Sequence, residues 1–239
     1  MRTNKIKAKI RAGEKAYGLS LTFPSLQMVE IAGNLGFDFV FIEGEHGSFG
    51  LGDIEQTCIV ADHVGLTPVA RVPNIHPSTI LRFLDRGVMG ITGPHIATKA
   101  DAEALVKACK FAPRGIRSFF GNRVAGYGPP EDVPAYMAQV NEEVLVNALI
   151  EDAEALEILP EILSVEGLDM VSIGHFDLSQ SMGYPGRPDD PHVAEAMEKA
   201  TAQIRASGKK FGRDVMSSVD AVQLVKQGAQ EFLREARGG

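Results

Sequence analysis

Four stretches of the chain end an apolar run in groups able to act on a substrate. Phe41-Ile42 leads into Glu43-Gly44-Glu45-His46, Val69-Ala70 into Arg71, Leu149-Ile150 into Glu151-Asp152, and Ile173-Gly174 into His175-Phe176-Asp177. Two carboxylates from different strands, with positions left for water and substrate, suit an octahedral divalent ion such as Mg²⁺ or Mn²⁺. Glu151 and Asp177 are the natural pair. A 2-oxo acid chelates such an ion through its carboxylate and keto oxygens, and the ion then polarises the carbonyl and stabilises an enolate. A guanidinium such as Arg71 holds the same oxygens and shares the negative charge. His46 is suited to carry a proton, with Glu43 and Glu45 beside it to set its tautomer and basicity. No lysine stands at these ends, so Schiff-base chemistry is not expected.

Each group also has a plainer reading. Glu151 can favour the dipole of a following helix, and Asp152 fits an N-cap better than a metal ligand. Arg71 can form a structural ion pair, and Asp177 can cap a short turn. Their convergence at strand ends is what favours chemistry. His175, two residues before Asp177, is placed toward the pocket. His63, His76, His95 and His192 have no evident partner and read as surface or supporting residues.

The elements that must position these groups repeat. A short apolar run, a polar turn and a helical period follow one another along the chain. Strands are expected over Ala16–Leu21, Asp38–Glu43, Thr67–Arg71, Val88–Thr92, Leu145–Ile150, Met170–Ile173, Lys210–Arg213 and Glu231–Arg234. Continuous apolar runs are how strands read when both faces of a parallel sheet are buried. Leu51, Ile54, Cys58, Ala61 and Val64 give one intervening helix its buried face, and Val193, Met197, Ala200 and Ile204 another. Alternating strands and helices imply βαβ units. Eight evenly spaced strands favour a closed (β/α)₈ barrel, whose working groups sit at strand C-termini. The stretch from Phe111 to Val133, with Arg114, Arg117 and Arg123, reads as a long loop after the fourth helix. Its arginines either bind a second substrate carboxylate or are solvated loop charges.

Length and charge bound the alternatives. At 239 residues the chain suits one barrel domain, 1–239, since such domains take about 250 residues. Hydrophobic residues make up 44% and charged residues 23%, ordinary for a globular protein with a core. A formal net charge of -7, with no Lys/Arg-rich run, argues against nucleic acid or anionic membrane as a partner. No apolar segment follows the basic N-terminus, so neither a signal peptide nor a membrane span is expected. Cys58 and Cys109 sit in helical patterns as buried small hydrophobes, consistent with a reduced, cytoplasmic setting. No GxGxxG or GxxxxGK[ST] follows the first strand, which weighs against nucleotide binding.

GFDFVFIEGEHGSF at Gly36–Phe49, PVARVP at Pro68–Pro73, ALIEDAEALEILPEIL at Ala148–Leu163 and GLDMVSIGHFDLSQSMGYPGRPDDP at Gly167–Pro191 resemble the HpcH/HpaI aldolase family. Its members include 4-hydroxy-2-oxoheptanedioate aldolase and 2-keto-3-deoxy sugar-acid aldolases. The resemblance runs from about Tyr17 to about Phe232. It implies a TIM barrel of the phosphoenolpyruvate/pyruvate type, and a reversible, metal-dependent retro-aldol cleavage to pyruvate and an aldehyde. It also implies a divalent ion (Mg²⁺, Mn²⁺ or Co²⁺) and a homo-oligomer, trimeric or hexameric. By the same resemblance Glu151 and Asp177 are metal ligands, Arg71 contacts the pyruvate oxygens, and His46 is the acid/base, paired with Glu43. Gly174, His175 and Phe176 line the pyruvate site.

Three positions depart from the family pattern. Glu43 stands where the aldolases usually carry Asp. Leu149 stands where they often carry Gln beside the pyruvate. The family's final helix, exchanged between subunits in hexamers, is expected here to be missing or reduced, because the expected eighth strand lies so near Gly239. Two other functions stand beside the aldolase: a citryl- or malyl-thioester lyase, which needs room for coenzyme A, and a non-catalytic barrel. Joint retention of Glu43, His46, Arg71, Glu151 and Asp177 argues against the latter.

Overall fold

Runs of buried apolar residues become eight parallel strands. They are β1 (Ala16–Leu21), β2 (Phe39–Glu43), β3 (Thr67–Arg71), β4 (Gly90–Gly93), β5 (Leu145–Ile150), β6 (Met170–Ile173), β7 (Lys210–Phe211) and β8 (Met216–Asp220). The computed structural model describes residues 3–238. The strands form one sheet in the order β7-β6-β5-β4-β3-β2-β1-β8. It curls as an α/β barrel of the TIM type. β7 and β8 are its two edges, and the short helix Gly212–Val215 joins them across the seam. All six residues of β5 are buried, with helices packed outside and other strands across the lumen, which is why its sequence shows no alternation.

The lower end of the lumen is closed by the helix Lys5–Ala12. Ile6, fully buried, packs with Ala16, Phe39, Val69, Leu145 and Met170, and its burial contributes about 2 kcal/mol. Asn4 fixes that helix. Its Oδ1 accepts from the amides of Ile6 and Lys7, while its Nδ2 donates to the carbonyls of Met89 (2.9 Å) and Glu143 (3.0 Å). Higher in the lumen the inward residues turn polar. Asn147 donates to Thr92 Oγ1 (3.1 Å) and accepts from Ser172 Oγ (3.2 Å). They border a cavity of about 620 Å³ that reaches His175 and Arg213.

The end of the chain differs from the sequence expectation. Glu231–Arg234 is not a strand; it belongs to the terminal helix Ala221–Ala236, and the eighth strand is Met216–Asp220. The chain's last helix, Ala221–Ala236, thus follows the eighth strand. Val222, Val225, Phe232 and Leu233 recur at helical spacing, which overrides the local β-like look of Phe232-Leu233. Asp220 caps the helix by accepting from the Gln223 amide (2.9 Å). Of its residues only Ala221 is buried, and Val225 and Phe232 are 59% and 67% exposed. Among the described residues no helix is long and apolar enough to cross a membrane.

Candidate active site

The parallel register sets Glu43 at the end of β2 opposite Arg71 at the end of β3. Arg71 grips Glu43 as a fork: Nε donates to Oε1 (3.0 Å) and Oε2 (2.8 Å), and Nη2 lies 2.8 Å from Oε2. Glu43 Oε1 also accepts the amides of Glu45 (3.0 Å) and His46 (3.2 Å). The turn that aims those amides is tight. A Cβ on Gly47 would lie 2.1 Å from the Glu43 carbonyl oxygen and 2.8 Å from that of Thr22, so only glycine fits. Glu45 adds a second carboxylate, with Oε2 3.2 Å from Arg71 Nε. Burial works against the Arg71 cation; the hydrogen bond to Glu43 and the charges of Glu43, Glu45 and Glu151 reverse this and raise its pKa.

This geometry changes the expected partner of His46. Glu43 meets His46 through the backbone amide, while its carboxylate is committed to Arg71. The imidazole is 67% exposed, and the acid beside it is Glu45, with Oε2 3.9 Å from Nε2.

The end of β5 is built differently. Glu151 is 1% exposed. Its Oε1 accepts the His95 amide (2.8 Å), while Oε2, equally buried, has no hydrogen-bond partner among the described residues. Gly174, held at the end of β6 by its amide's bond to the Ile150 carbonyl (2.9 Å), lies against that oxygen. A Cβ there would sit 2.6 Å from Glu151 Oε2, so glycine keeps the space at this carboxylate clear. Asp177 stands half-buried in the first turn of the helix His175–Ser181. Burial raises the pKa of Glu151 and the charge of Asp177 adds to it, against the pull of His95 and Arg71.

A buried carboxylate oxygen with no donor, beside a second carboxylate, fits a hard divalent cation. Among the described residues no group of three or more His, Cys, Asp and Glu gathers as a metal cluster. Glu151 and Asp177 would thus supply two ligands and leave the remaining positions to water and substrate.

His95, read from the sequence as a surface or supporting residue without an evident partner, has two partners here. It follows β4 at φ +50, which turns its amide onto Glu151. Its Nδ1 lies 3.2 Å from Asp152 Oδ2 and 3.7 Å from Glu151 Oε1. Burial opposes its charge, but the Asp152 hydrogen bond and the charges of Glu151 and Asp152 raise its pKa. The signal was a proline-bounded turn directly after a strand.

The other expected site residues fall around this centre. Leu149, buried, is paired in register with Ser172 and gives its carbonyl to the Ile96 amide (3.1 Å). The His175 ring lies 4.6 Å from that of Phe176, tilted by 41°, and its Nδ1 lies 3.3 Å from Arg213 Nη2. Burial and Arg213 lower the His175 pKa. Arg114, Arg117 and Arg123 are committed elsewhere, paired with Glu142 (2.6 Å), Asp85 (3.0 Å) and Asp62 (2.7 Å).

Known proteins share this architecture. The chain is 35% identical to 4-hydroxy-2-oxo-heptane-1,7-dioate aldolase of Escherichia coli, over 95% of this chain and 86% of that one. It is 38% identical to 4-hydroxy-4-methyl-2-oxoglutarate aldolase cghB of Chaetomium globosum, over 87% and 79% of the two chains. Among solved structures, an aldolase/citrate lyase family protein of Burkholderia cenocepacia superposes with a TM-score of 0.89 at 27% identity, covering 98% of this chain and 100% of that one. The model of the HpcH/HpaI aldolase/citrate lyase family matches residues 17–238. The barrel, the strand-end carboxylates and these likenesses agree: the chain belongs to the HpcH/HpaI aldolase/citrate lyase family.

Proposed function

We propose that this chain, as one barrel domain, is a class II aldolase that cleaves a 4-hydroxy-2-oxo acid to pyruvate and an aldehyde with the help of a divalent ion. The observation that carries the reading is Glu151 Oε2, buried without a donor among the described residues and kept clear by Gly174, with the charge of Asp177 acting on the same carboxylate. The ion held by Glu151 and Asp177 would supply Lewis-acid polarisation of the 2-oxo group.

The chain's own residues account for the rest. Glu43 and Glu45 engage Arg71 through Nε and Nη2, so Nη1 is the nitrogen with donors to spare for the substrate oxygens. Charge that builds on the keto oxygen as the C3–C4 bond breaks is stabilised there. His46, exposed at the rim, takes the proton from the C4 hydroxyl, and the bonding electrons of C3–C4 pass into the enolate of pyruvate. Glu45 steadies the resulting imidazolium. The His46 imidazolium then returns its proton, through water, to C3 of the enolate, which gives pyruvate and restores the neutral imidazole. Leu149 makes the wall beside Glu151 apolar, which removes a polar contact and favours substrates that present no hydrogen-bonding group there.

Pyruvate release from a panel of 4-hydroxy-2-oxo acids, coupled to lactate dehydrogenase on EDTA-stripped protein, tests the reading. Release restored by Mn²⁺, Mg²⁺ or Co²⁺ and lost in Asp177→Asn supports it. Folded protein that releases no pyruvate with any of these ions contradicts it.

A further inference from the structure

A second cavity, of about 400 Å³, lies at the end of the barrel opposite the rim. Val88 and Met89, which precede β4, and Val144, which precedes β5, form part of its wall. The catalytic groups stand at the other ends of the strands. Leu84 and Val140 give the lining an apolar part, and two arginines give it a polar one.

Arg117 is 4% exposed, bonded through Nη2 to Asp85 (3.0 Å) and laid over the Phe111 ring at 4.7 Å. Arg123 is 14% exposed, bonded through Nη1 to Asp62 (2.7 Å) and through Nη2 to the Arg86 carbonyl (2.7 Å). In both, the Nε–H is buried and finds no acceptor among the described residues. Buried donors on charged groups are costly to leave unpaired. The backbone also makes room for Arg123. Gly87 has φ +113, and a Cβ there would lie 2.0 Å from Arg123 Nη2. Tyr136 completes the lining, its hydroxyl donating to the Val124 carbonyl (3.2 Å) and its ring edge-on to Phe119 at 6.1 Å.

We propose that this cavity is a binding site, separate from the catalytic rim, for a small carboxylate with an apolar, aromatic-sized body. The free Nε–H groups of Arg117 and Arg123 receive the carboxylate. Asp62 and Asp85 already balance much of the arginine charge, so a single negative charge fits better than a doubly charged phosphate. The valines and Leu84 take the apolar body, and the volume lies within the range of small-molecule sites.

Benzoate binding to the full chain, measured by titration calorimetry beside benzylamine and inorganic phosphate, tests this. Benzoate binds saturably, benzylamine does not, and phosphate is weaker than benzoate. Glu151→Gln leaves the benzoate affinity unchanged. Val140→Phe fills the cavity, and Arg117→Lys keeps a cation against Asp85 but lacks the Nε–H. Each weakens benzoate by about tenfold or more. Circular dichroism verifies that Val140→Phe is folded, and Arg117→Lys decides the matter if it is not. Absence of saturable benzoate binding, equal binding of benzylamine, tighter binding of phosphate, undiminished affinity in Arg117→Lys, or loss in Glu151→Gln overturns the proposal.

Discussion

Glu43 and Glu151 are both buried carboxylates at the C-terminal ends of barrel strands, yet they are treated in opposite ways. Glu43 is saturated, with an arginine fork on both oxygens and two amides on one of them. Glu151 takes one amide on one oxygen and, among the described residues, no hydrogen bond on the other. Glu43 therefore spends its charge on holding Arg71 and the turn before His46. Glu151 keeps a costly lone oxygen that serves no packing purpose. A fold tolerates such a group where function needs it.

The sharpest way to break this contrast is at Glu151. In Glu151→Gln, kcat/KM for the best substrate falls by on the order of 10³, while thermal unfolding shows no loss of stability, because a poorly satisfied buried charge has been removed. A fall in Tm with activity retained would reverse the roles assigned here. Glu43→Ala does the opposite in kind. It leaves Arg71 without its fork, and chemical denaturation reports a loss of about 3 kcal/mol, accompanied by weaker substrate binding.

The third prediction concerns pH. The Glu151 pKa is raised in the metal-free fold, so the folded chain holds this proton where the unfolded chain has released it. Its contribution to stability is full below the ordinary glutamate value and is lost as pH rises through the folded pKa. The raised pKa of His95 acts in the same sense. Its contribution is present below the ordinary histidine value and lost above the folded one. Because Mn²⁺ competes with the Glu151 proton, its affinity climbs over the same window, by up to about tenfold per pH unit. Calorimetry on the stripped protein reads this slope, and a flat profile would contradict it. The smallest effect is at His95. His95→Asn keeps the amide and suits the positive φ, so Mn²⁺ affinity drops by only about tenfold, through loss of the Asp152 link.

Where the pattern was strong, the sequence was readable. β1, β3, β5 and β6 begin and end where their apolar runs do, and Glu43, Arg71 and Glu151 stand at strand ends as expected. Two kinds of information were not local. Glu43 pairs with Arg71 because the register of two strands sets them side by side, and nothing near Glu43 announces that. His95 acts through a backbone amide, which carries no side-chain signal. β8 escaped notice because Met216–Asp220 is polar and partly exposed, whereas Phe232-Leu233 drew attention to a segment that is helical.

The most direct test of the contrast is Mn²⁺ binding followed by electron paramagnetic resonance, on stripped wild-type protein and on Glu151→Gln, Asp177→Asn and Glu43→Gln. The account predicts that binding is lost in the first two variants and kept within about threefold in Glu43→Gln, whose carboxylate faces Arg71. Wild-type affinity in Glu151→Gln, or loss of Mn²⁺ in Glu43→Gln while that variant remains folded, would contradict it.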